Sequence, residues 1–448
     1  MKDIQKWSIT VALAGFLFGF DTVVISGANQ PIKDLWELSP LFHGTFIMSM
    51  ALWGTVLGAL FGNIPCDRLG RKKTLFWIGV LYFLSALGSA VAPDPYLFSM
   101  FRFIGGVGVG ASSVAAPIYI SEIAAPENRG KLGALYQFNI VFGIFIAFIS
   151  NWLLEGVGGD LDWRLMLGIE ALPALIYTLM VMRVPNSPRW LVMRKNDEAG
   201  AILVLNKIVG ETEAPAKLME IKNELAQSIK KHSVFDAKYK RVAFLAFFIA
   251  LFNQLSGINF ILYYAPEILE RAGLATKDSL FSSISIGLVN LIFTIVGVQL
   301  IDRLGRRTLM IIGSLGYILS LVMVGWSFYS DAGSAMLLTF ILVFIAAHAV
   351  GQGAVIWVFI SEIFPTKVRA AGQSLGTGTH WVFAALITLL TPLFLDGEDG
   401  IFKDNPYPIF YFFAGMMVLQ LLWVLFIMPE TKGKSLEELD RQLVTQDE

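Results

Sequence analysis

The charged stretch Asp67-Arg68-Leu69-Gly70-Arg71-Lys72 occurs a second time as Asp302-Arg303-Leu304-Gly305-Arg306-Arg307. Another motif, Ser121-Glu122-Ile123 with Arg129 behind it, recurs as Ser361-Glu362-Ile363 with Arg369 behind it. The first repeat lies 235 positions downstream (67 to 302) and the second lies 240 positions downstream (121 to 361), about half of the 448 residues. Two independent motifs repeated at nearly the same offset predict a chain built from two similar halves.

The composition places both halves in a membrane. Hydrophobic residues make up 55% of the chain and charged residues 15%, and the mean hydropathy is +0.64. A soluble protein carries about 25% charged residues. The formal net charge of −1 gives no reason to expect a nucleic-acid partner.

The sequence also argues against an enzyme. Cys66 is the single cysteine, which excludes an intramolecular disulfide. The four histidines are scattered, and we find no metal-ligand spacing and no nucleophile–base pair. His348, close to Gly351, is interpreted as a packing residue. We therefore expect no catalytic residue, no metal and no cofactor.

Apolar runs of about 20 residues predict helices that cross the roughly 30 Å hydrocarbon core, where backbone groups must be satisfied internally. Twelve such runs occur, near residues 7–29, 41–64, 73–92, 96–119, 131–154, 163–183, 241–264, 279–301, 308–328, 335–360, 371–394 and 408–428. The first is interpreted as a span rather than a cleavable signal peptide. The glycine-rich stretch 105–110 predicts close helix packing rather than a nucleotide loop, which would follow a strand.

We therefore predict an all-α membrane protein with twelve transmembrane helices in two pseudo-symmetric six-helix bundles. The predicted boundaries are residues 1–183 for the first bundle, 184–240 for a helical linker, 241–428 for the second bundle and 429–448 for a tail. The linker shows helical spacing around Glu198 to Val209 and Leu218 to Ile229. Its polarity and length favour short amphipathic helices over a separate soluble domain.

The distribution of lysine and arginine predicts the orientation. These residues concentrate in the two motif loops and in the linker, whereas the loop 155–162 has Glu155, Asp160 and Asp162 but no lysine or arginine. The motif loops, the linker and both termini are therefore predicted to be cytoplasmic. The expected location is the plasma membrane, which in a bacterium is the inner membrane.

The repeated charges predict ion-pair clusters at the cytoplasmic ends of the helices. Glu122 and Arg129 lie seven residues apart, two helical turns, so they share one face. We interpret the clusters as a cytoplasmic gate that latches the two halves together and breaks when the site opens inward; the alternative is that the charges only fix topology and cap helices. The gate residues are Arg68, Arg71, Glu122, Arg129, Arg303, Arg306, Glu362 and Arg369.

Polar side chains inside apolar runs are the candidates for function, because burying them in a membrane is costly. Gln254, Ser256 and Asn259 lie in the seventh run with Tyr263 one turn further, and Gly257 is expected to loosen that helix. Amides that donate and accept, together with aromatic rings, suit a polyhydroxylated ligand with apolar faces. The alternative roles are interhelical hydrogen bonding and core packing.

These features together resemble the sugar porter family of the major facilitator superfamily, and within it the bacterial proton-coupled xylose and hexose symporters. The stretches that carry the resemblance are DRLGRKK (67–73), PIYISEIAAPENRG (117–130), PNSPRWL (185–191), NQLSGINFILYYAPEI (253–268), DRLGRRTL (302–309), WVFISEIFPTKVRAAG (357–372) and PETKGKSLEEL (429–439). The resemblance implies sugar contacts at Gln137, Gln254, Asn259, Asn290 and Trp357. With the neighbouring candidates Asn253, Tyr263, His380 and Trp381, these residues form the predicted monosaccharide site. The resemblance also implies that the seventh span is broken near Gly257.

The chain departs from the family pattern at several site positions. Asn253 stands where a glutamine is usual, and His380 replaces an asparagine or glutamine. Ile144 resembles the glucose facilitators rather than the xylose symporter. The sugar therefore stays open between a pentose such as xylose and a hexose such as glucose. Asn186 replaces a glutamate near the cytoplasmic cluster.

Asp21 interrupts the first run and Arg102 the fourth, and the two are able to pair across the bundle. An ionisable carboxylate there suits proton coupling, and the alternative is a permanent structural ion pair. The resemblance implies that Asp21, Arg102 and Glu170 couple transport to protons. We expect a proton–monosaccharide symporter that acts as a monomer in the lipid bilayer. The alternatives are a sugar uniporter, an exporter of amphiphiles and a membrane sugar sensor.

Overall fold

The computed structural model describes residues 2–124, 129–226, 233–365 and 367–444. Within these ranges the regular structure is helical and no β-strand occurs. Twelve helical segments are long and apolar enough to span a bilayer, which confirms the predicted fold class. Spans 1 to 12 are Asp3–Leu35, Pro40–Phe61, Arg71–Val91, Pro95–Ile123, Leu132–Leu154, Gly159–Val181, Ala237–Arg271, Thr276–Leu304, Arg306–Tyr329, Ser334–Ile363, Arg369–Leu395 and Tyr407–Phe426.

Spans 1–6 form the first half of the molecule and spans 7–12 the second. The halves meet where span 1 packs on span 7, span 2 on span 11 and span 5 on span 8. We call the end that carries Asp67–Lys72 and its repeat the motif face, and the opposite end the far face. The far face holds the ends of spans 1, 7 and 11.

Two spans run further toward the far face than their apolar pattern predicts. Span 1 continues six residues beyond the predicted end near residue 29, and span 7 continues from the predicted end near 264 to Arg271. The added turns carry Lys33 and Glu267, and Asn29 lies at the predicted end of the first run; all three are buried. These turns are stabilised because their polar groups have partners in the opposite half. A hydropathy pattern does not reveal such partners.

Two spans of the second half are broken. Span 7 consists of Lys240–Leu255 and Ile258–Arg271, joined at Gly257, whose φ of +84° is a conformation that side-chain-bearing residues rarely adopt. The implied break in this span is thereby confirmed. Ser256 Oγ donates to the Asn253 carbonyl (2.6 Å) and accepts from the Ile258 N–H (3.3 Å), which satisfies backbone groups at the break. Span 10 is broken between Ser334–Val350 and Gln352–Ile363.

The linker forms two main helices, Glu198–Val209 and Ala214–Ala226. The first has the bounds that its spacing predicts; the second begins four residues earlier than predicted, and the rest of the prediction, 227–229, falls outside the described residues. Trp190, Ala201 and Leu205 are buried in a small apolar core of the linker. A last helix, Leu436–Leu443, follows span 12 and packs Leu439 and Leu443 on the second half.

Spans 2 and 4 touch through their backbones. A Cβ on Gly106 would lie 1.8 Å from the Ala51 carbonyl oxygen, and a Cβ on Gly110 would lie 2.2 Å from that of Thr55. The close packing predicted for this glycine-rich stretch is therefore confirmed. Gly108, in the same stretch, faces elsewhere and has 3.4 Å of clearance to the Leu81 side chain.

This difference gives a matched pair of variants. We expect Gly106→Ala to lower the unfolding temperature in detergent, because separating two packed helices costs about 1–3 kcal/mol or more. Gly108→Ala should leave that temperature unchanged or raise it, since alanine is favoured over glycine in a helix by about 1 kcal/mol. Tryptophan fluorescence during heating measures both. Equal unfolding temperatures for the two variants would contradict the backbone contact.

Candidate functional site

A cavity of about 120 Å³ lies between the two halves. Its wall includes Phe18, Gln137 and Ile144 from the first half. The second half contributes most of the predicted site residues, namely Asn253, Gln254, Asn259, Asn290, Trp357, His380 and Trp381. Residues more than 200 positions apart in sequence thus meet around one space, at the depth where span 7 is broken.

Amides of span 7 form one side of the cavity and hydrogen-bond to each other. Asn259 Nδ2 donates to Gln254 Oε1 (3.0 Å), and Gln254 Nε2 donates to Asn253 Oδ1 (2.9 Å). Gln254 Nε2 also lies 3.2 Å from the His380 ring nitrogens. The break at Gly257 brings Asn259 back toward Gln254, five residues earlier.

Other polar groups at the cavity have no protein partner. Among the described residues, the Gln137 and Asn290 side chains form no hydrogen bond, although both line the cavity. The indole N–H of Trp381 is buried without an acceptor in the same part of the structure. A buried donor without a partner costs about 1–3 kcal/mol. These groups are therefore available to a ligand that supplies both donors and acceptors.

Aromatic rings form another part of the cavity wall. The rings of Trp357 and His380 are 5.0 Å apart, and those of His380 and Trp381 are 4.7 Å apart. Phe18 of the first half lies 5.6 Å from Trp381. Aromatic rings and amides around one cavity match a ligand that has hydroxyl groups on its edge and C–H groups on its faces.

One predicted residue lies outside this cavity and one unpredicted residue lines it. Tyr263 is 2% exposed and does not belong to the wall; it lies in electrostatic reach of Arg102. The interpretation of His348 as a packing residue is incomplete, because its ring lines the cavity and its Nδ1 lies 2.5 Å from the Tyr317 hydroxyl. Its position three residues before the break at Gly351 is the signal in the sequence.

A second polar cluster lies in the first half. Arg102 Nη1 lies 2.5 Å from Asp21 Oδ1, and Nη2 donates to the Asp21 carbonyl. Both side chains are 3% exposed. Glu170, at the junction of the helices Asp162–Gly168 and Ala171–Val181, interacts with Asp21 and Arg102, and its Oε1 is buried without a partner. The structure thus brings the three predicted coupling residues together.

The far face is closed by polar contacts between the halves. Lys33 Nζ lies 2.5 Å from Asp396 Oδ2 in a buried salt bridge. Asn29 Nδ2 donates to Glu267 Oε2 (2.6 Å), and Asn29 Oδ1 accepts from His43 Nε2 (2.5 Å). We call this set the far-face seal. The sequence does not reveal this set, because Lys33, Glu267 and Asp396 lie beyond the predicted apolar runs and have their partners in the opposite half.

At the motif face, each half repeats one arrangement. Arg71 donates to Glu122 (2.9 Å) and to the Cys66 carbonyl, as Arg306 donates to Glu362 (2.7 Å) and to the Ile301 carbonyl. Both pairs join spans of one half. Among the described residues no salt bridge of these motifs crosses between the halves, so the latch stays a prediction.

The remaining gate residues lie around these pairs. Arg68 and Arg303 are exposed, and Arg369 Nε donates to the Phe364 carbonyl. The Arg129 side chain lies outside the part of the structure that is described. In the second half, Glu430 accepts from the backbone N–H groups of Arg306 (3.0 Å) and Arg307 (2.9 Å), at the start of span 9.

A larger cavity, of about 300 Å³, lies at the far face of the second half and is lined by residues such as Arg271, Asp331 and Lys403. None of the predicted site residues belongs to its wall. Size alone would favour this larger cavity as the functional site. The smaller cavity, however, has the convergent amides and aromatic rings and is lined by residues of both halves. We therefore take the smaller cavity as the functional site.

Comparison with known proteins agrees with this architecture. The family model described as sugar (and other) transporter matches residues 7–443. The arabinose-proton symporter of Bacillus subtilis (strain 168) is 36% identical over 443 residues, 97% of this chain and 94% of that protein. The D-xylose-proton symporter of Escherichia coli (strain K12) is 34% identical over 466 residues, again 97% and 94%.

Solved structures give the same relation. The inward open conformation of the xylose transporter XylE from E. coli superposes with a TM-score of 0.86 at 31% identity, covering 98% of this chain and all of that one. The partially occluded inward open conformation of the same transporter gives 0.85, with 97% of this chain covered.

The environment of Glu430 predicts a pH-dependent contribution to stability. Burial by itself would raise the pKa of Glu430, but the N–H groups of Lys432, Arg306, Arg307 and Thr431 outweigh it and hold the pKa below its usual value. A carboxyl with a lowered folded-state pKa stabilises the fold above its unfolded pKa of about 4.3 and loses that effect as the pH falls through the folded value.

We expect Glu430→Gln to lower the unfolding temperature at pH 7, and the gap from the wild type to stay constant down to about pH 5 and then to shrink as the pH falls below about 4.3. Thermal unfolding in detergent at a series of pH values measures this gap. Asp440→Asn, which alters an exposed carboxylate of the last helix, is the control. A gap that is as large near pH 3 as at pH 7 would argue against stabilisation by the ionised carboxylate of Glu430.

Proposed function

The chain belongs to the sugar (and other) transporter family, and from this premise we propose that it imports a monosaccharide by proton symport through alternating access. It is a multi-pass protein of the bacterial inner membrane and not an enzyme. The substrate is a pentose or hexose, with xylose, arabinose and glucose as the first candidates. The relatives named as arabinose-proton and D-xylose-proton symporters support this choice.

The observation that carries the coupling is the buried set of Asp21, Arg102 and Glu170. One guanidinium faces two carboxylates, so the set is neutral when it holds one proton and carries one negative charge when it has lost it. A structural pair alone gains little in such a place, since an apolar pair often stabilises as well. A proton that enters from one side and leaves to the other is then tied to the movement of spans 1, 4 and 6.

The sugar site is the cavity between the halves. Its amides supply donors and acceptors for hydroxyl groups, and Trp357 and Trp381 supply surfaces for the C–H faces. We assign sugar contacts to Gln137, Asn253, Gln254, Asn259, Asn290, Trp357, His380 and Trp381, and add His348. Tyr263 is assigned instead to the environment of the coupling set.

We propose that residues 1–183 and 241–428 rock as two bodies around this site, with residues 184–240 as the linker between them. The motif face and both termini are cytoplasmic in this proposal, and the chain acts as a monomer. The far-face seal, together with the likeness to inward open XylE, supports an inward-facing state. In the outward-facing state the gate residues at the motif face would then latch the halves together.

A uniporter is the second candidate function, because the sugar cavity alone would serve it equally well. It would leave Asp21 and Arg102 as a static ion pair. A sensor is disfavoured, because the relatives that cover almost the whole chain are named as sugar-proton symporters.

Uptake of labelled sugar into proteoliposomes with an imposed inward proton gradient tests the proposal. The sugars are xylose, arabinose, glucose, galactose and fucose, each with and without a protonophore. Accumulation above equilibrium that the protonophore removes is the expected result, and it names the substrate. Equilibration that ignores the protonophore would replace symport by uniport.

Asp21→Asn is the variant that isolates the coupling step. One proton per sugar and 100 mV provide about 2.3 kcal/mol, or roughly 50-fold accumulation. We expect the variant to lose this accumulation completely while sugar binding and counterflow exchange persist. Asp160→Asn, on an exposed loop, is the control and should accumulate sugar like the wild type. Full uphill uptake by Asp21→Asn would refute the role.

A further inference from the structure

A chain of buried hydrogen bonds leads away from the amide side of the sugar cavity. Asn253 Nδ2 donates to Gln352 Oε1 (3.4 Å, a long bond), and Gln352 Nε2 donates to Gln420 Oε1 (2.7 Å). Gln420 Nε2 donates to Ser314 Oγ (2.8 Å), and Ser314 Oγ donates to the Met310 carbonyl (2.7 Å). This chain joins spans 7, 10, 12 and 9.

None of the three inner side chains touches the sugar cavity. Gln352, Gln420 and Ser314 are each 0% exposed, and none belongs to the cavity wall. Polar side chains are costly in a membrane interior, where apolar ones would pack as well. Neither the motifs nor the family resemblance singles these residues out.

Every hydrogen bond in this chain donates in the same direction, from Asn253 toward Met310, and the Met310 carbonyl at the inner end fixes that direction. A carbonyl only accepts, so the Ser314 hydroxyl must donate to Met310, and its oxygen is left to accept from the NH₂ group of Gln420. The Gln420 carbonyl then accepts from the NH₂ group of Gln352. The Gln352 carbonyl in turn accepts from the NH₂ group of Asn253. Turning any one amide over would set N–H against N–H and leave buried groups unpaired.

The direction continues into the cavity. Asn253 Oδ1 accepts from Gln254, and Gln254 Oε1 accepts from Asn259. One N–H of Asn259 is therefore committed, whereas its second N–H stays free and its carbonyl oxygen keeps both lone pairs. The orientation of this amide decides where the wall presents an acceptor, and the sugar hydroxyl that meets this oxygen must donate.

We propose that Gln352, Gln420 and Ser314 are positioning residues that fix the orientation of the Asn253, Gln254 and Asn259 amides, and so determine which sugar hydroxyl must act as a hydrogen-bond donor. The inference rests on the proposed function of the cavity as a monosaccharide site. It assigns part of the sugar selectivity to side chains that never contact the sugar.

Deoxyfluoro sugars report the direction of a hydrogen bond, because fluorine accepts weakly and cannot donate. The experiment measures binding of D-glucose and D-xylose, and of their deoxyfluoro analogues at each ring position, to the purified full-length protein by tryptophan fluorescence. We expect at least one position at which fluorine weakens binding to the wild type by about tenfold or more, as loss of one hydrogen bond predicts.

Gln420→Met removes the amide that links Gln352 to Ser314, with little change in side-chain volume. We expect the fluorine penalty at that position to fall severalfold, because the Asn259 amide becomes free to turn over, while penalties at other positions persist. Ser314→Ala is a second, milder variant with the same expected result. Ser320→Ala is the control, since this buried serine lies on the same span and donates to carbonyls of its own helix.

The outcomes distinguish failure of the positioning role from failure of the proposed monosaccharide site. A purely structural role would lower the unfolding temperature and weaken all sugars alike; unchanged penalty patterns in both Gln420→Met and Ser314→Ala would overturn the inference and leave the proposed function intact. If the wild type binds none of the five sugars tested for uptake and no analogue, the monosaccharide site falls, and the inference with it.

Discussion

Inside a bilayer no water is present to bond a free N–H or C=O group, and this constraint shapes every part of the molecule. It makes each span helical and confines irregular backbone to places that face protein or the central cavity. At Gly257 the constraint is met locally, since the Ser256 hydroxyl serves one carbonyl and one N–H across the break. The break in turn allows Asn259 to reach Gln254 and complete the polar wall of the cavity.

The duplication of the chain is visible in atomic detail at the motif face, and so is its imperfection. Arg306 meets Glu362 through two hydrogen bonds, and Thr431 donates to the same carboxylate. Arg71 meets Glu122 through one, and the buried Arg71 Nε and Glu122 Oε2 lack partners among the described residues. The first half therefore holds its motif loop less tightly than the second half does.

Sequence reasoning succeeds where the signal is local or repeated. The apolar runs identify all twelve spans, the motif repeats lead to the two equivalent arginine–glutamate pairs, and Asp21 and Arg102 stand out as charges inside apolar runs. It fails where a polar residue is explained only by a distant partner. Lys33 and Asp396 lie outside the predicted apolar runs, and only the fold shows that they pair. Gln352 and Gln420 are isolated polar residues in two apolar runs, and only the fold shows their hydrogen bond.

The far-face seal has a consequence for the energetics of a full cycle. When the face is closed, Lys33 and Asp396 have lost hydration, and the attraction between the two charges largely offsets that cost. A contact of this kind requires a specific geometry but contributes little net free energy. A transporter that alternates between two states, as proposed above, gains from a closure that selects one arrangement without trapping it.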